Sequence, residues 1–243
     1  MTTANTPVLA GRGIGAVQPR RLPLQCVLFD LDGTLIDSAP DLGAAVNRMR
    51  LRRDLPLLAD AQLRPYASHG ARGLLMAGFA MTPEHPEYPI LRDEFLSFYE
   101  EALCVRTEIF AEVPKLLDAL DATSLRWGIV TNKASRFTLP LLDALGLRTR
   151  PACIVCGDTA ARAKPFPDPL LAAAQMLALP PSACVYVGDA ERDIQAGNAA
   201  GMATLVARYG YIQEHEQPDL WQASGLLDSP LQLLSWLPDQ VRS

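Results

Sequence analysis

The chain has 243 residues, 49% hydrophobic and 20% charged, with a formal net charge of −5 at pH 7. This is ordinary globular composition, with room for one large domain or a core carrying a smaller insertion. The acidic balance argues against nucleic acid or an acidic membrane surface as the main partner, and no stretch approaches the length of a membrane-spanning helix.

Residues 1–23 contain no acidic residue and carry Arg12, Arg20 and Arg21 after their apolar part, the wrong order for a secretory signal. They read as a disordered extension. The five cysteines are an odd count in a chain with ample core, which fits a reducing cytoplasm. Cys153 and Cys156 have metal or redox spacing, but nothing completes a zinc set, so they read as core.

Leu24–Phe29 is an apolar run, and Cys26–Phe29 reads as a buried strand closed by Asp30-Leu31-Asp32-Gly33-Thr34-Leu35. Side chains alternate along a strand, so Asp30 and Asp32 project the same way at its carboxyl end, where open parallel sheets bind ligands. Two close carboxylates are costly without a cation, and hard oxygen ligands suit Mg²⁺. Gly33 and Thr34 offer backbone N–H and hydroxyl donors to an anion. The motif therefore reads as a metal site facing a phosphate.

Ser38–Arg53 has helical periodicity, with Ser38 as N-cap and Asp41 completing a box-like start. Helical segments continue at Ala61–Tyr66, Ala71–Phe79 and Pro89–Cys104, so residues 40–107 read as an inserted helical unit. From Phe110 helices and strands alternate. Val113–Ala122, Ser135–Leu145, Pro169–Leu179 and Glu191–Ala200 read as helices; Leu125–Thr131, Ala152–Cys156, Ala183–Val187 and Ala203–Ala207 read as strands. That alternation implies an α/β, doubly wound parallel sheet built from residues 24–39 and 108–243. A last helix over Pro230–Leu237 is expected to pack on the core, with Trp221 and Trp236 as packing groups.

Three further strand ends carry chemistry. Thr131, before Asn132 and Lys133, can donate to a phosphate oxygen. Lys164 precedes a proline-dense turn that holds its backbone extended. Val187-Gly188-Asp189 ends a strand with a third carboxylate, and Asp193 follows one helical turn later.

This order of motifs, each at a strand end, resembles the haloacid dehalogenase superfamily from Leu24 to Tyr211. Within it, Thr34–Ser38, Ser68-His69-Gly70-Ala71-Arg72 and Gly188–Gly197 are similar to phosphoglycolate phosphatases. Ala77–Met81 and Tyr209-Gly210-Tyr211 look like the N-acetylmuramic acid 6-phosphate phosphatases. The resemblance implies a Rossmann-like core with a small helical cap, and a Mg²⁺-dependent phosphatase acting through an aspartyl-phosphate. Asp30 would be the nucleophile, Asp32 the acid and base, and Thr131 and Lys164 the phosphoryl binders. Asp30, the Asp32 carbonyl and Asp189 would hold the metal, with Asp193, Gly33, Thr34 and Asn132 supporting. Arg72, with His69 and Gly70, is the candidate reader of a substrate carboxylate. The expected substrate is a small phosphomonoester, 2-phosphoglycolate first and N-acetylmuramic acid 6-phosphate as the alternative. A sugar-phosphate mutase and an idle phospho-ligand sensor are the remaining readings.

Overall fold

A strand covered on both faces loses all contact with water, and Cys26, Val27, Leu28 and Phe29 are each at most 1% exposed. In the computed structural model, which describes residues 24–237, they form β1 (Cys26–Phe29). Next come β2 (Ile36–Asp37), α1 (Ala39–Leu51), α2 (Asp60–Leu63), a 3₁₀ turn at Arg64–His69, α3 (Gly70–Phe79), α4 (Tyr88–Glu101) and β3 (Glu108–Ile109). The chain then alternates through α5 (Val113–Asp121), β4 (Arg126–Val130), α6 (Ser135–Ala144), β5 (Ile154–Val155), α7 (Asp168–Met176), β6 (Cys184–Gly188), α8 (Glu191–Ala199), β7 (Ala203–Ala207) and β8 (Gly225–Leu227).

The six long-range strands make one parallel sheet in the order β5-β4-β1-β6-β7-β8. From β1 the chain winds one way through β4 and β5, then the other way from β6. The switch point beside β1 is where such sheets leave a crevice for ligands. Register fixes the crevice floor: Phe29 stands opposite both Ile129 and Val187, so the exits of β1, β4 and β6 lie level. The fold is the α/β, Rossmann-like arrangement expected. Helices cover it by burying one stripe; α5 buries Val113, Leu116, Leu117 and Leu120 against the sheet.

Every described helix between β2 and β3 shares a second cluster built on Leu42, Val46, Met49, Leu74, Leu75, Phe95 and Tyr99. Phe137 and Tyr211 join it from the sheet side. The insert leaves and returns through β2 and β3, an antiparallel pair with Asp37 opposite Glu108. Asp41 clasps this doorway. Its buried carboxylate accepts from the N–H groups of Val105, Arg106 and Thr107, at 2.8–3.0 Å, and from the Thr107 hydroxyl at 2.7 Å.

The capping box expected at Ser38 and Asp41 does not form. Ser38 stands at the N-cap position, but its hydroxyl bonds Asp32, and Asp41 serves the returning linker. A tertiary partner outcompeted the local one at both residues. Pro230–Trp236 is a 3₁₀ helix, with Leu233 and Leu237 in the main core. Trp221 is buried, and the Trp236 ring lies where a side chain on Gly225 would stand. Strand Ala152–Cys156 contracts to Ile154–Val155, and all five cysteines are free, with Cys153 and Cys156 buried. The expectation for residues 1–23 falls outside the described residues. Among those described, no helix is long and apolar enough to cross a membrane.

Candidate active site

Asp30 is the first residue past β1, its N–H donating to the Val187 carbonyl so that β6 holds it in line. The residue is 3% exposed, and its carboxylate accepts from the Leu31 N–H at 2.8 Å and from Lys164 Nζ at 3.0 Å. Burial raises its pKa, while Lys164 opposes that rise. Asp32 lines the same cavity, as the alternation of strand side chains requires. Its Oδ1 accepts from the Ser38 hydroxyl and, at 2.9 Å, from Lys133 Nζ. Lys133 carries no role in the sequence reading. Burial alone would lower its pKa, but Asp32 and Tyr99 outweigh that and raise it.

Lys164 is fully buried, and its ammonium is held on four sides. It meets Asp30, Asp193 Oδ1 at 2.7 Å, the Tyr186 hydroxyl at 2.7 Å and the Val130 carbonyl at 3.1 Å. Asn132 fixes its backbone through both amide atoms, each 2.9 Å from the Lys164 main chain. A buried ammonium is tolerable only with such pairing. Thr131 lies at the end of β4, 2% exposed; its Oγ1 accepts from the Lys133 N–H at 3.2 Å, which leaves the hydroxyl proton for a ligand. Asp193 accepts from Lys164 on one oxygen and from the Ala190 N–H on the other, so it orients the lysine and tightens the start of α8.

Asp189 is the first residue past β6 and is buried. Its Oδ2 accepts from the Ser68 hydroxyl at 2.6 Å and the Tyr211 N–H at 2.9 Å, and Thr34 Oγ1 lies 3.5 Å from Oδ1. Gly33 and Gly210 wall it in. Gly33 has φ +81°, and a Cβ there would collide with the Asp189 carboxylate and the Tyr211 ring; one on Gly210 would strike Asp189 Cβ. Burial, then the charges of Asp30 and Asp193, push the Asp189 carboxyl up to about 7. Asp30, Asp189 and Asp193 place oxygens within 4.8 Å of one another. Three buried acids outnumber the Lys164 ammonium and the Arg192 guanidinium beside them, a donor set that fits a hard divalent cation. Asp193, with both oxygens committed, is the least free of the three.

Gly33 and Thr34 do not face an anion as expected. Their N–H groups close the turn onto Ile36 and Leu31, and the Thr34 hydroxyl turns to Asp189. The tight turn consumes the donors that the spacing made available.

A cavity of about 560 Å³ opens over these residues. Its floor holds Asp30, Asp32, Thr131, Asn132 and Lys164; its roof, from the helical insert, holds Ser68, His69, Gly70, Arg72, Phe95 and Tyr99. The structure therefore brings the candidate roof residues to the candidate floor. Arg72 makes no hydrogen bond or ion pair among the described residues, and its residue is exposed at the cavity edge. Ser68 and Arg192 tie roof to floor. While Ser68 donates to Asp189, its carbonyl accepts from Arg192 at 2.5 Å. Tyr211 couples floor and doorway, through its N–H to Asp189 and its hydroxyl to Asp37 at 2.9 Å.

The family model for haloacid dehalogenase-like hydrolases matches residues 27–207, from the centre of β1 to the end of β7. The chain belongs to the haloacid dehalogenase-like hydrolase family. It is 40% identical over 218 residues to the N-acetylmuramic acid 6-phosphate phosphatase of Pseudomonas aeruginosa, covering 90% of this chain and 96% of that one. It is 44% identical over 214 residues to a phosphoglycolate phosphatase of Xanthomonas campestris, covering 88% and 96%. A solved structure of a predicted phosphoglycolate phosphatase from Haemophilus somnus superposes with a TM-score of 0.77 at 26% identity, covering 88% and 97%. Within the haloacid dehalogenase-like family, this chain is a phosphoric monoester hydrolase.

Proposed function

We propose that the enzyme removes phosphate from a small carboxylate-bearing phosphomonoester by way of an aspartyl-phosphate at Asp30. The observation that carries this reading is two aspartates at the exit of β1, facing one cavity beside a fully buried lysine. Asp30 attacks phosphorus in line with the departing alkoxide, and the P–O bond to the alcohol breaks. Asp32 gives that oxygen a proton, then takes one from the water that cleaves the acyl phosphate. Lys164 and the Thr131 hydroxyl offset charge on the transferring oxygens, while Asp193 and Asn132 keep Lys164 in place. Asp30, Asp189 and the Asp32 carbonyl are the residues that would hold Mg²⁺, which when bound supplies the positive charge for the phosphoryl group and the paired acids.

Residues 40–107 act as a cap, and Arg72, with His69 and Gly70, reads the carboxylate from the roof. The reducing cytoplasm is the compartment that suits five free cysteines. Of the two named esters, 2-phosphoglycolate is the first reading. One observation favours N-acetylmuramic acid 6-phosphate: the cavity holds far more than a two-carbon acid fills.

The test is phosphate release with Mg²⁺ from both esters and a set of sugar phosphates. A tenfold advantage in kcat/KM, about 1.4 kcal/mol, assigns the substrate. Asp30→Asn is expected to abolish release from all of them; turnover surviving in that variant removes the covalent route.

A further inference from the structure

Tyr99 carries a hydroxyl that the fold leaves unanswered. The residue is 2% exposed, lies on α4 in the roof and lines the cavity. Phe95 stacks parallel to its ring at 6.4 Å between centroids, and Phe137 packs tilted at 5.6 Å, so the side chain has one place to be. Among the described residues, its oxygen is the one buried side-chain polar atom with no hydrogen-bond partner. Lys133, with its ammonium 4.7 Å from the ring centroid, can only donate toward the hydroxyl oxygen, so the hydroxyl proton has no acceptor among the described residues.

A buried hydroxyl without a partner costs about 1–3 kcal/mol, and a fold keeps one where a ligand completes it. The ligand class follows from the surroundings. Burial pushes the Tyr99 phenol up to about 12, so it stays protonated and is a donor at neutral pH. Lys133, which also holds Asp32, adds positive charge on the same side. The missing partner is thus an oxygen acceptor, and a carboxylate oxygen gains most there. Asp32 is the group that handles the leaving oxygen, and its charge is felt at Tyr99. The acceptor therefore belongs to the alcohol part of the ester.

We infer that Tyr99 is a specificity-determining residue whose hydroxyl donates to an oxygen acceptor on the alcohol part of the phosphomonoester. This rests on the phosphatase reading above and deepens it. Rejection follows the same logic: an ester lacking the acceptor leaves the hydroxyl unpaired in the closed site, a larger penalty than a lost apolar contact.

The experiment compares wild type and Tyr99→Phe on 2-phosphoglycolate, N-acetylmuramic acid 6-phosphate and phenyl phosphate, whose alcohol part has no acceptor other than the ester oxygen. Thermal melts of both free proteins run alongside. The expected result is a kcat/KM loss on the better of the two acid esters at least about tenfold greater than on phenyl phosphate. The melting midpoint of Tyr99→Phe should be unchanged or higher, because the variant removes an unpaired polar atom and keeps the ring packing. Equal effects on all three compounds overturn the inference, and so does a midpoint several degrees lower, which would mean the hydroxyl has an internal partner. No release by wild type from any ester overturns the phosphatase reading and this inference with it; wild-type turnover with an unaltered ratio overturns this inference alone.

Discussion

Asp32 commits Oδ1 to both Ser38 and Lys133, and its Oδ2 has no partner among the described residues. A carboxylate so anchored presents one oxygen for proton transfer. Asp32→Asn keeps the shape and removes the base, so hydrolysis of the acyl phosphate should slow most. With p-nitrophenyl phosphate, whose leaving group needs little protonation, the variant should release a stoichiometric burst of nitrophenolate and then stall; stopped-flow absorbance checks this. Asp189 gives a pH signature. Its folded pKa, about 7, lies above the ordinary 3.8, so the folded state holds a proton across that window. The stability this provides is present below about pH 4 and lost as pH rises through about 7. In EDTA the melting midpoint of wild type should fall from pH 5 to pH 8 more steeply than that of Asp189→Asn, and Mg²⁺ should recover it best at pH 8. Parallel curves would contradict the assignment. Asp30 and Asp189 were legible in sequence because each sits in a short segment at a strand end, and Lys164 because it opens a proline-dense connection. Ser68 and Arg192 were not: their contacts bridge 121 and 124 residues, and no local pattern records such a pairing.

The alternating helices and strands from Val113 to Ala207 were legible because all but the two-residue β5 bury an apolar face long enough to count. The two-residue strands β2 and β3 have no room for a period, and β8 has three residues. They exist because neighbouring elements hold them. The doorway clasp is an example: Asp41 read as a helix-start residue, yet it answers donors more than sixty positions away. Asp41→Ala would leave three backbone N–H groups and the Thr107 hydroxyl without their acceptor. We expect a loss of about 3 kcal/mol, roughly 6–12 °C in melting midpoint, given the cost of unsatisfied buried donors. Hydrogen exchange should show lost protection at Val105–Thr107 before the sheet is affected. A midpoint within a degree of wild type would mean water replaces the carboxylate without cost.

The molecule as a whole carries −5, yet Lys133, Lys164, Arg72, Arg136 and Arg192 converge on the cavity with only Asp30 and Asp32 among its acids. On the reading proposed above, this local positive field, rather than the net charge, would dominate what an anionic ester meets on approaching the mouth. Raising ionic strength from about 0.01 M to about 0.15 M shortens the Debye length from about 30 Å to about 8 Å. KM for an ester bearing both phosphate and carboxylate should rise severalfold over that range, with kcat within about twofold, as initial-rate kinetics would show. Composition gave the net charge but not this local reversal, because only folding brings Lys133, Arg136 and Arg192 to one opening. The doorway has a last consequence. Asp37 and Glu108 face each other across one strand pair, about 4.5–5.5 Å between Cα atoms, so the two ends of the insert are neighbours. Any segment whose ends meet at that spacing can be spliced between them without altering the register of the sheet. The Asp41 clasp travels inside the spliced piece. On the reading proposed above, the hydrolytic floor is thereby separable from the part that would choose the alcohol, and exchange of this single cassette would offer one chemistry new substrates.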